Sequence, residues 1–408
     1  MQLGIVAIGA SLARCKSSDD PAADASSGVG GSGSGSTGTG YNPPNINPPA
    51  NSNIANVGPL ADPDALGLRL PEGFTARIVA RAKEPVEGTD YLWHPAADGG
   101  ATFLAENGDY VYVSNAESYF EGGASALRFD PDGNLLDAYS ILTGTQINCA
   151  GGPTPWGTWL SCEEYATGQV WECDPFGQEE AIVRPALGVF KHEAATVDPA
   201  ANVLYLTEDL KTGRFYRFTP DQLLDGRPDL SAGSLEVMRV LSGEEGAVEW
   251  LPLTDPSAAT GATRLQAPDS TAFDGGEGVW FHEGIVYFTT KGDDRVWAFD
   301  TEKQELVILY DDDTADEPLL NGVDNVCVTA GGDVLIAEDG GDMQLVAITG
   351  GNLVPLVQVT GQDGSEITGP ALDPYRQRLY FSSQRGETGG FLGEHGITYE
   401  ITGPFFVD

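Results

Sequence analysis

Cys149, Glu193, Glu277, Asp324 and Glu366 each open a short apolar run, and Glu117, Glu163, Glu208 and Glu338 each end the second apolar run of a unit. The intervals repeat: 14 residues separate Cys149 from Glu163, 15 separate Glu193 from Glu208, and 14 separate Asp324 from Glu338. Carboxylates scattered for solubility have no reason to recur at two matched positions. Brought to one place at low dielectric they would repel one another unless cations neutralised them. The pattern therefore predicts a metal centre. Oxygen ligands suit Ca2+, Mg2+ or Mn2+, and a lone thiolate at Cys149 favours a softer or more acidic transition-metal ion beside them. The alternative for Cys149 is a small buried residue at a tight strand start, which its flanks Asn148 and Gly151-Gly152 also fit. Only His192 adjoins the set, with His94, His282 and His395 elsewhere, which argues against a zinc hydrolase built on imidazoles.

Repeated units must position these residues. Each has a small-residue strand, a turn rich in Asp, Pro, Gly or Asn, a second apolar strand, a polar break and a third strand with an aromatic. GATFLAENGDYVYVSNAES opens the first unit, CAGGPTPWGTWLSCEE the second and HEAATVDPAANVLYLTED the third. EGVWFHEGIVYFTTKGDD, DNVCVTAGGDVLIAEDGG and ITGPALDPYRQRLYFSSQRG open the fourth, fifth and sixth. Helical periodicity is scarce. The economical architecture is an all-β, six-bladed propeller of four-stranded blades, with Phe74 to Arg81 completing the last blade, since ring closure removes exposed sheet edges. In an antiparallel blade the start of the innermost strand and the end of the second lie at one face, nearest the axis. Polar residues at those two places in successive blades converge on a channel mouth.

Composition agrees with many strands and tight turns: 53 Gly and 26 Pro are spread along 408 residues. The 61 Asp and Glu against 21 Lys and Arg give a formal net charge of −40, a surface that repels nucleic acid and anionic lipid headgroups. Solubility or a salty habitat explains scattered acids; hard-cation binding explains clustered ones. Residues 1–15 read as an export signal, with Leu12-Ala13-Arg14-Cys15 resembling a bacterial lipoprotein signal and Cys15 its lipidated residue. Residues 16–65 form a Gly/Ser/Pro-rich tether expected to be disordered, and 66–408 form the propeller. The expected location is outside the cytoplasm, periplasmic, cell-surface or extracellular, with a possible lipid anchor and no transmembrane helix in the mature domain. Cys162 and Cys173 flank a predicted hairpin and are either a disulfide or two buried thiols.

The run NCAGGPTPWGTWLSCEE, Asn148 to Glu164, resembles the signature of PhoX-type alkaline phosphatases. FKHEAATVDP, VLYLTED, EGVWF, DNVCVTAGGDVLIAEDGG and EITGPALDP follow in the family's order. The resemblance covers Leu70 to Arg385 and implies a six-bladed propeller that holds iron and calcium at its mouth and hydrolyses phosphate monoesters. It implies Cys149 as a ligand to Fe3+ and Glu163, Glu193, Glu208, Glu277, Asp324 and Glu338 as metal-binding positions, with Ca2+ as the further ion. An arginine two residues before the glutamate of EGVW would grip phosphate oxygens, but Gly275 stands there. Arg385, Lys291 or Arg295 could substitute, and the expected catalytic pair is Glu277 with Arg385. Two functions remain open: a small-molecule phosphate-ester hydrolase and a non-catalytic calcium-binding propeller that acts as an interaction module. A lactone or sugar-phosphate hydrolase is a third, because one fold hosts many chemistries.

Overall fold

A computed structural model describes residue 46, residues 48–316 and residues 318–408. The export signal, Cys15 and most of the tether lie outside the described residues. Among the described residues there are only strands and five short 3-10 turns, and no helix is long and apolar enough to cross a membrane.

The strands are short and rich in β-branched and aromatic residues, and carboxylates close many of their turns. Asp198 Oδ1 accepts the N–H of Ala200 and Ala201 at 2.9 and 3.1 Å, Asp300 Oδ1 those of Glu302 and Lys303, and Asp373 Oδ1 those of Gln377 and Arg378. These are turn-forming acids, so part of the charge excess serves the backbone.

Three sheets have the expected four strands. They are Ala97–Leu104 to Leu135–Thr145, Asn148–Pro153 to Ile182–Val183, and Ile367–Leu372, Arg378–Ser383 and Ile397–Thr402 with Thr75–Arg81 at the edge. The last pairing runs from Ile397 opposite Arg81 to Thr402 opposite Thr75, so an N-terminal strand completes the C-terminal sheet as the sequence predicts. Six separate four-stranded blades are not what the hydrogen bonding gives. Leu68–Arg69 adds a fifth strand beside Asn352–Val359. The third and fourth units share one nine-stranded sheet, because Gly246–Pro252 pairs with Gly233–Val240 on one side and with Glu305–Asp311 on the other. Outer-strand edges carry unpaired N–H and C=O groups, and here two of them satisfy each other.

The first strands of the units, Ala97–Leu104, Asn148–Pro153, His192–Asp198, Gly276–His282, Val323–Val328 and Ile367–Leu372, each lie against the next, and the last against the first. This propeller-like ring has its apolar cores between neighbouring sheets. Trp159, fully buried, packs with Ala101, Phe103, Val111 and Val113 of the preceding unit. The ordered body also begins upstream of residue 66: Asn51–Ser52 pairs with Phe406–Val407 and Ile54 is buried in a core cluster. Composition hid this, because one well-placed isoleucine and one strand pair suffice to anchor an otherwise polar segment.

Candidate metal centre

All six ring strands carry a β-bulge, after the first ladder pair in five of them and after the second in Ile367–Leu372. In the second unit Asn148 faces Glu163 and Gly151 faces Ser161, which leaves Cys149 and Ala150 opposite Cys162 alone. The same two-against-one arrangement occurs at Asp98-Gly99, Glu193-Ala194, Glu277-Gly278, Asp324-Asn325 and Gly369-Pro370. A bulge re-aims the side chain it displaces. In five of the six strands its first residue has a metal-ligating side chain: Asp98, Cys149, Glu193, Glu277 and Asp324.

Neighbouring units fasten these bulges. Asn115 Nδ2 donates to the Cys149 carbonyl at 2.8 Å, Thr207 Oγ1 to the Glu277 carbonyl at 2.5 Å, and Thr289 Oγ1 to the Asp324 carbonyl. Glycine is required where backbones meet, since a Cβ on Gly99 would come within 2.5 Å of Ala150 Cα and one on Gly278 within 2.4 Å of Val326 N.

The result is a chain of overlapping groups around the axis: Asp98, Glu117 and Cys149; Cys149, Glu164 and Glu193; Glu193, Glu277 and Asp324; Asp324, Asp339 and Glu366. Within each group the ligand atoms lie within 4.8 Å of one another. Of the expected ligands, Cys149, Glu193, Glu277 and Asp324 are therefore brought together, with Glu117 and Glu366 beside them.

Glu163, Glu208 and Glu338 are not in these groups. Each accepts the N–H six residues on and so staples its hairpin: Gln169 N to Glu163 at 3.2 Å, Arg214 N to Glu208 at 3.1 Å and Gln344 N to Glu338 at 2.8 Å. Glu338 also accepts Asn321 N at 2.9 Å, and Glu208 accepts the Tyr216 hydroxyl at 2.7 Å. Glu164 and Asp339, the next residues in their chains, join the mouth in place of Glu163 and Glu338. Asp209, which follows Glu208, shares Lys191 with Glu164. Side chains alternate along a strand, so an error of one residue exchanges the faces. The signal was in the paired acids of CEE, TED and AED. Asp98 was also missed, although Ala97-Asp98-Gly99-Gly100 aligns with Asn148-Cys149-Ala150-Gly151.

Among the described residues, three basic side chains enter the mouth. Lys191 Nζ meets Glu164 at 2.6 Å and Asp209 at 2.5 Å. Lys291 Nζ lies 3.1 Å from Glu277, 3.3 Å from Asp339 and 3.4 Å from Asp324. Arg385 Nη2 lies 2.8 Å from Glu366 and its Nη1 3.7 Å from Asp339. Arg295, by contrast, pairs with Asp311, Glu244 and Asp293 and contacts none of the mouth acids.

Acids outnumber these cations, and burial is deep. Burial first, then neighbouring carboxylates, push Asp98, Glu193 and Glu366 well above the ordinary range. Burial likewise raises Glu277, against the opposing pull of Lys291. The Cys149 thiol is raised by burial and then by Asp98 and Glu193. Glu193 is fully buried; Ala150 N reaches its Oε1 at 3.3 Å, while its Oε2 has no hydrogen-bond partner. An orphaned buried carboxylate oxygen amid like charges fits a cation, and the donor set, mainly oxygen with one thiol, fits a hard ion beside a softer one.

The remaining residues singled out by sequence have structural roles. His192 is buried, stacks on Phe190 at 3.6 Å and bonds the Gly188 carbonyl through Nε2 at 3.0 Å. Cys162 and Cys173 are free thiols: Cys162 faces Val170 and Cys173 faces Trp159, three register steps away, and they enter different cores. That separation exceeds disulfide reach. Gly275 has φ +70, and a Cβ there would lie 3.3 Å from Asp209 Oδ1 and 3.8 Å from Glu277 Oε1.

With this geometry established, comparison with known proteins is informative. PhoX from Pseudomonas fluorescens, in complex with vanadate, a transition-state analogue, superposes with a TM-score of 0.69 at 17% identity, over 87% of this chain and 98% of that one. A gluconolactonase from Xanthomonas campestris superposes with a TM-score of 0.46 at 16% identity, over 89% and 97%. At such identities the first likeness is one of fold, and the second carries no argument. No curated protein matches the chain in sequence. Residues 121–306 match the family described as alkaline phosphatase PhoX, so through that segment the chain is similar to the PhoX family.

Proposed function

We propose that this chain is a metal-dependent phosphate-ester hydrolase acting at the mouth of the propeller. The observation that carries the reading is the set of bulges that turns Asp98, Cys149, Glu193, Glu277 and Asp324 onto one axis. The match of residues 121–306 to the PhoX family supports the reaction class. We also read the ring as six blades, with the nine-stranded sheet being two blades joined at their outer edges; the closed ring of first strands supports this.

Asp98, Glu117, Cys149 and Glu193 would hold Fe3+, the thiolate being the soft ligand, and Glu193, Glu277 and Asp324 would be the oxygen donors for Ca2+. Bound there, such ions supply the positive charge that draws in a phosphate and offsets the charge developing on its oxygens. Arg385, on the rim, donates to a phosphate oxygen with the guanidinium edge that Glu366 leaves free. Glu277, walled in by Lys291 and Asp324, keeps that oxygen-rich wall in place. In the net reaction a water oxygen bonds to phosphorus, the P–O bond to the alcohol breaks, and the alcohol leaves with a proton.

The second reading, a calcium-binding propeller without catalysis, is favoured by Gly275, which offers no side chain to the phosphate. Hydrolysis of p-nitrophenyl phosphate, with metal content measured on the same preparation, separates the two. The hydrolase reading expects turnover that a chelator abolishes; metal-loaded protein inert on several phosphate esters would overturn it. Export with a lipidated Cys15 is part of the proposal and rests on residues 1–15; cell fractionation tests it.

A further inference from the structure

Lys291 occupies a position that four other units give to an acid. Residue 291 follows Thr290, the partner of Gly276 at the edge of the bulge. The matching residues are Glu117, after the partner of Ala97; Glu164, after that of Asn148; Asp209, after that of His192; and Asp339, after that of Val323. In the fourth unit a lysine replaces the acid.

That lysine reaches three carboxylates from two units, Glu277 of its own and Asp324 and Asp339 of the next, at 3.1 to 3.4 Å. Its backbone is pinned: Lys291 N donates to the Gly275 carbonyl and Gly292 N to the Asp274 carbonyl, both at 2.9 Å. A Cβ on Gly292 would meet Asp274 at 2.4 Å, so the turn that aims the lysine has little freedom. Across the mouth the situation is reversed. Among the described residues no lysine or arginine pairs with Asp98, Glu117 or Glu193; Gln384 Nε2 donates to Asp98 at 2.7 Å and to Glu117 at 2.9 Å, and the backbone N–H groups of Gly99 and Ala150 donate to Asp98 and Glu193. There Glu193 Oε2 has neither a hydrogen-bond partner nor an ion pair, whereas Glu277 Oε1, which also lacks a hydrogen bond, has Lys291 Nζ at 3.1 Å as its ion-pair partner.

We propose that Lys291 is a tethered counter-ion that takes the place of a divalent cation between Glu277, Asp324 and Asp339, so that resident metal is confined to the Cys149 side of the mouth. This rests on reading the mouth as a metal centre, and it narrows the oxygen set given above: Glu277 and Asp324 serve a metal only through Glu193. An ammonium makes ion pairs near 3 Å, whereas Ca2+ needs oxygens at about 2.3–2.6 Å. A second cation in that space would face the ammonium at contact distance, so the two exclude each other.

The test is metal content by mass spectrometry after equilibration with calcium and removal of unbound ions, for wild type, Lys291→Met and Lys291→Arg. The expected result is about one further equivalent of calcium in Lys291→Met over wild type, with Lys291→Arg like wild type. Equal calcium in all three, from a wild type that does hold metal, overturns the counter-ion but leaves the metal centre standing. A wild type without metal overturns both. Should Lys291→Met fail to fold even in calcium, a crystal structure of metal-loaded wild type decides. Nζ still between Glu277, Asp324 and Asp339 supports the assignment, and a cation there with Lys291 turned away refutes it.

Discussion

Glu163 and Glu164 are adjacent in the chain and do opposite things. Glu163 Oε2 accepts Gln169 N at 3.2 Å and closes a hairpin, while Glu164 Oε1 meets Lys191 Nζ at 2.6 Å in the channel mouth. The two roles separate on mutation. Glu163→Ala removes the acceptor of the part-buried N–H groups of Gln146 and Gln169, at about 1 kcal/mol, and should lower the melting temperature with or without metal. Glu164→Gln should leave the melt of chelated protein unchanged or higher and reduce bound metal. Thermal denaturation and metal analysis of both variants check this, and a reversal of the two phenotypes would refute the assignment.

Calcium removal should destabilise the protein. A ligand that binds only the folded state contributes RT ln(1 + [L]/Kd), about 2.7 kcal/mol at a hundredfold excess over Kd. Melting curves with calcium and with a chelator should differ accordingly. Coincident curves would argue that the mouth acids are neutralised by protons and by Lys191, Lys291 and Arg385 alone.

In chelator, stability should rise as pH is lowered from about 8 to 6.5. Burial raises Glu338 from 4.5 to about 7 against the opposing N–H groups of Asn321 and Gln344, and Asp98, Glu193, Glu277 and Glu366 shift the same way. A folded-state pKa above the unfolded value gives stability that is full below the unfolded value and lost as pH rises through the folded one. His94 and His192 work in the opposite sense: burial lowers both from 6.5 to about 3, so their contribution fades as pH falls below 6.5. The chelated melt should therefore peak in mildly acid solution. Metal requires deprotonated ligands, and calcium should flatten the rise. A melting temperature flat in chelator from pH 8 to 6.5 would count against the buried acids as the cause.

Gly275→Arg tests the missing arginine, and its φ of +70 sets the cost. A side chain there is strained whatever its charge, by more than about 1 kcal/mol, so Gly275→Ala is the control for backbone strain. The expectation is a similar loss of stability in both, with higher kcat/KM on p-nitrophenyl phosphate only in Gly275→Arg. If Gly275→Arg is no faster than Gly275→Ala, the phosphate is held elsewhere.

Arg385→Ala completes the set. If its guanidinium supports phosphate oxygens, turnover should fall by roughly 10² to 10³ while metal content stays as in wild type. An unchanged rate removes Arg385 from the site, and lost metal makes it a partner of Glu366 only.

The sequence by itself determined the all-β class, the repeated units, the closing strand before the first unit and the gathering of acids with one thiol at the mouth. Each follows from local rules: period-two alternation, turn residues between short apolar runs, and acids recurring at fixed intervals. It placed Cys149, Glu193, Glu277 and Asp324 at one mouth, because a polar residue at a strand start is marked by the small residues around its bulge. Tertiary structure decided which acid of each pair faces the axis. One residue of register separates the hairpin staples Glu163, Glu208 and Glu338 from Glu164, Asp209 and Asp339, and spacing counted along one chain is blind to that shift. It also decided that two units fuse into a nine-stranded sheet and that Lys291 lies among three acids, since both depend on edges and side chains that meet only when the ring closes.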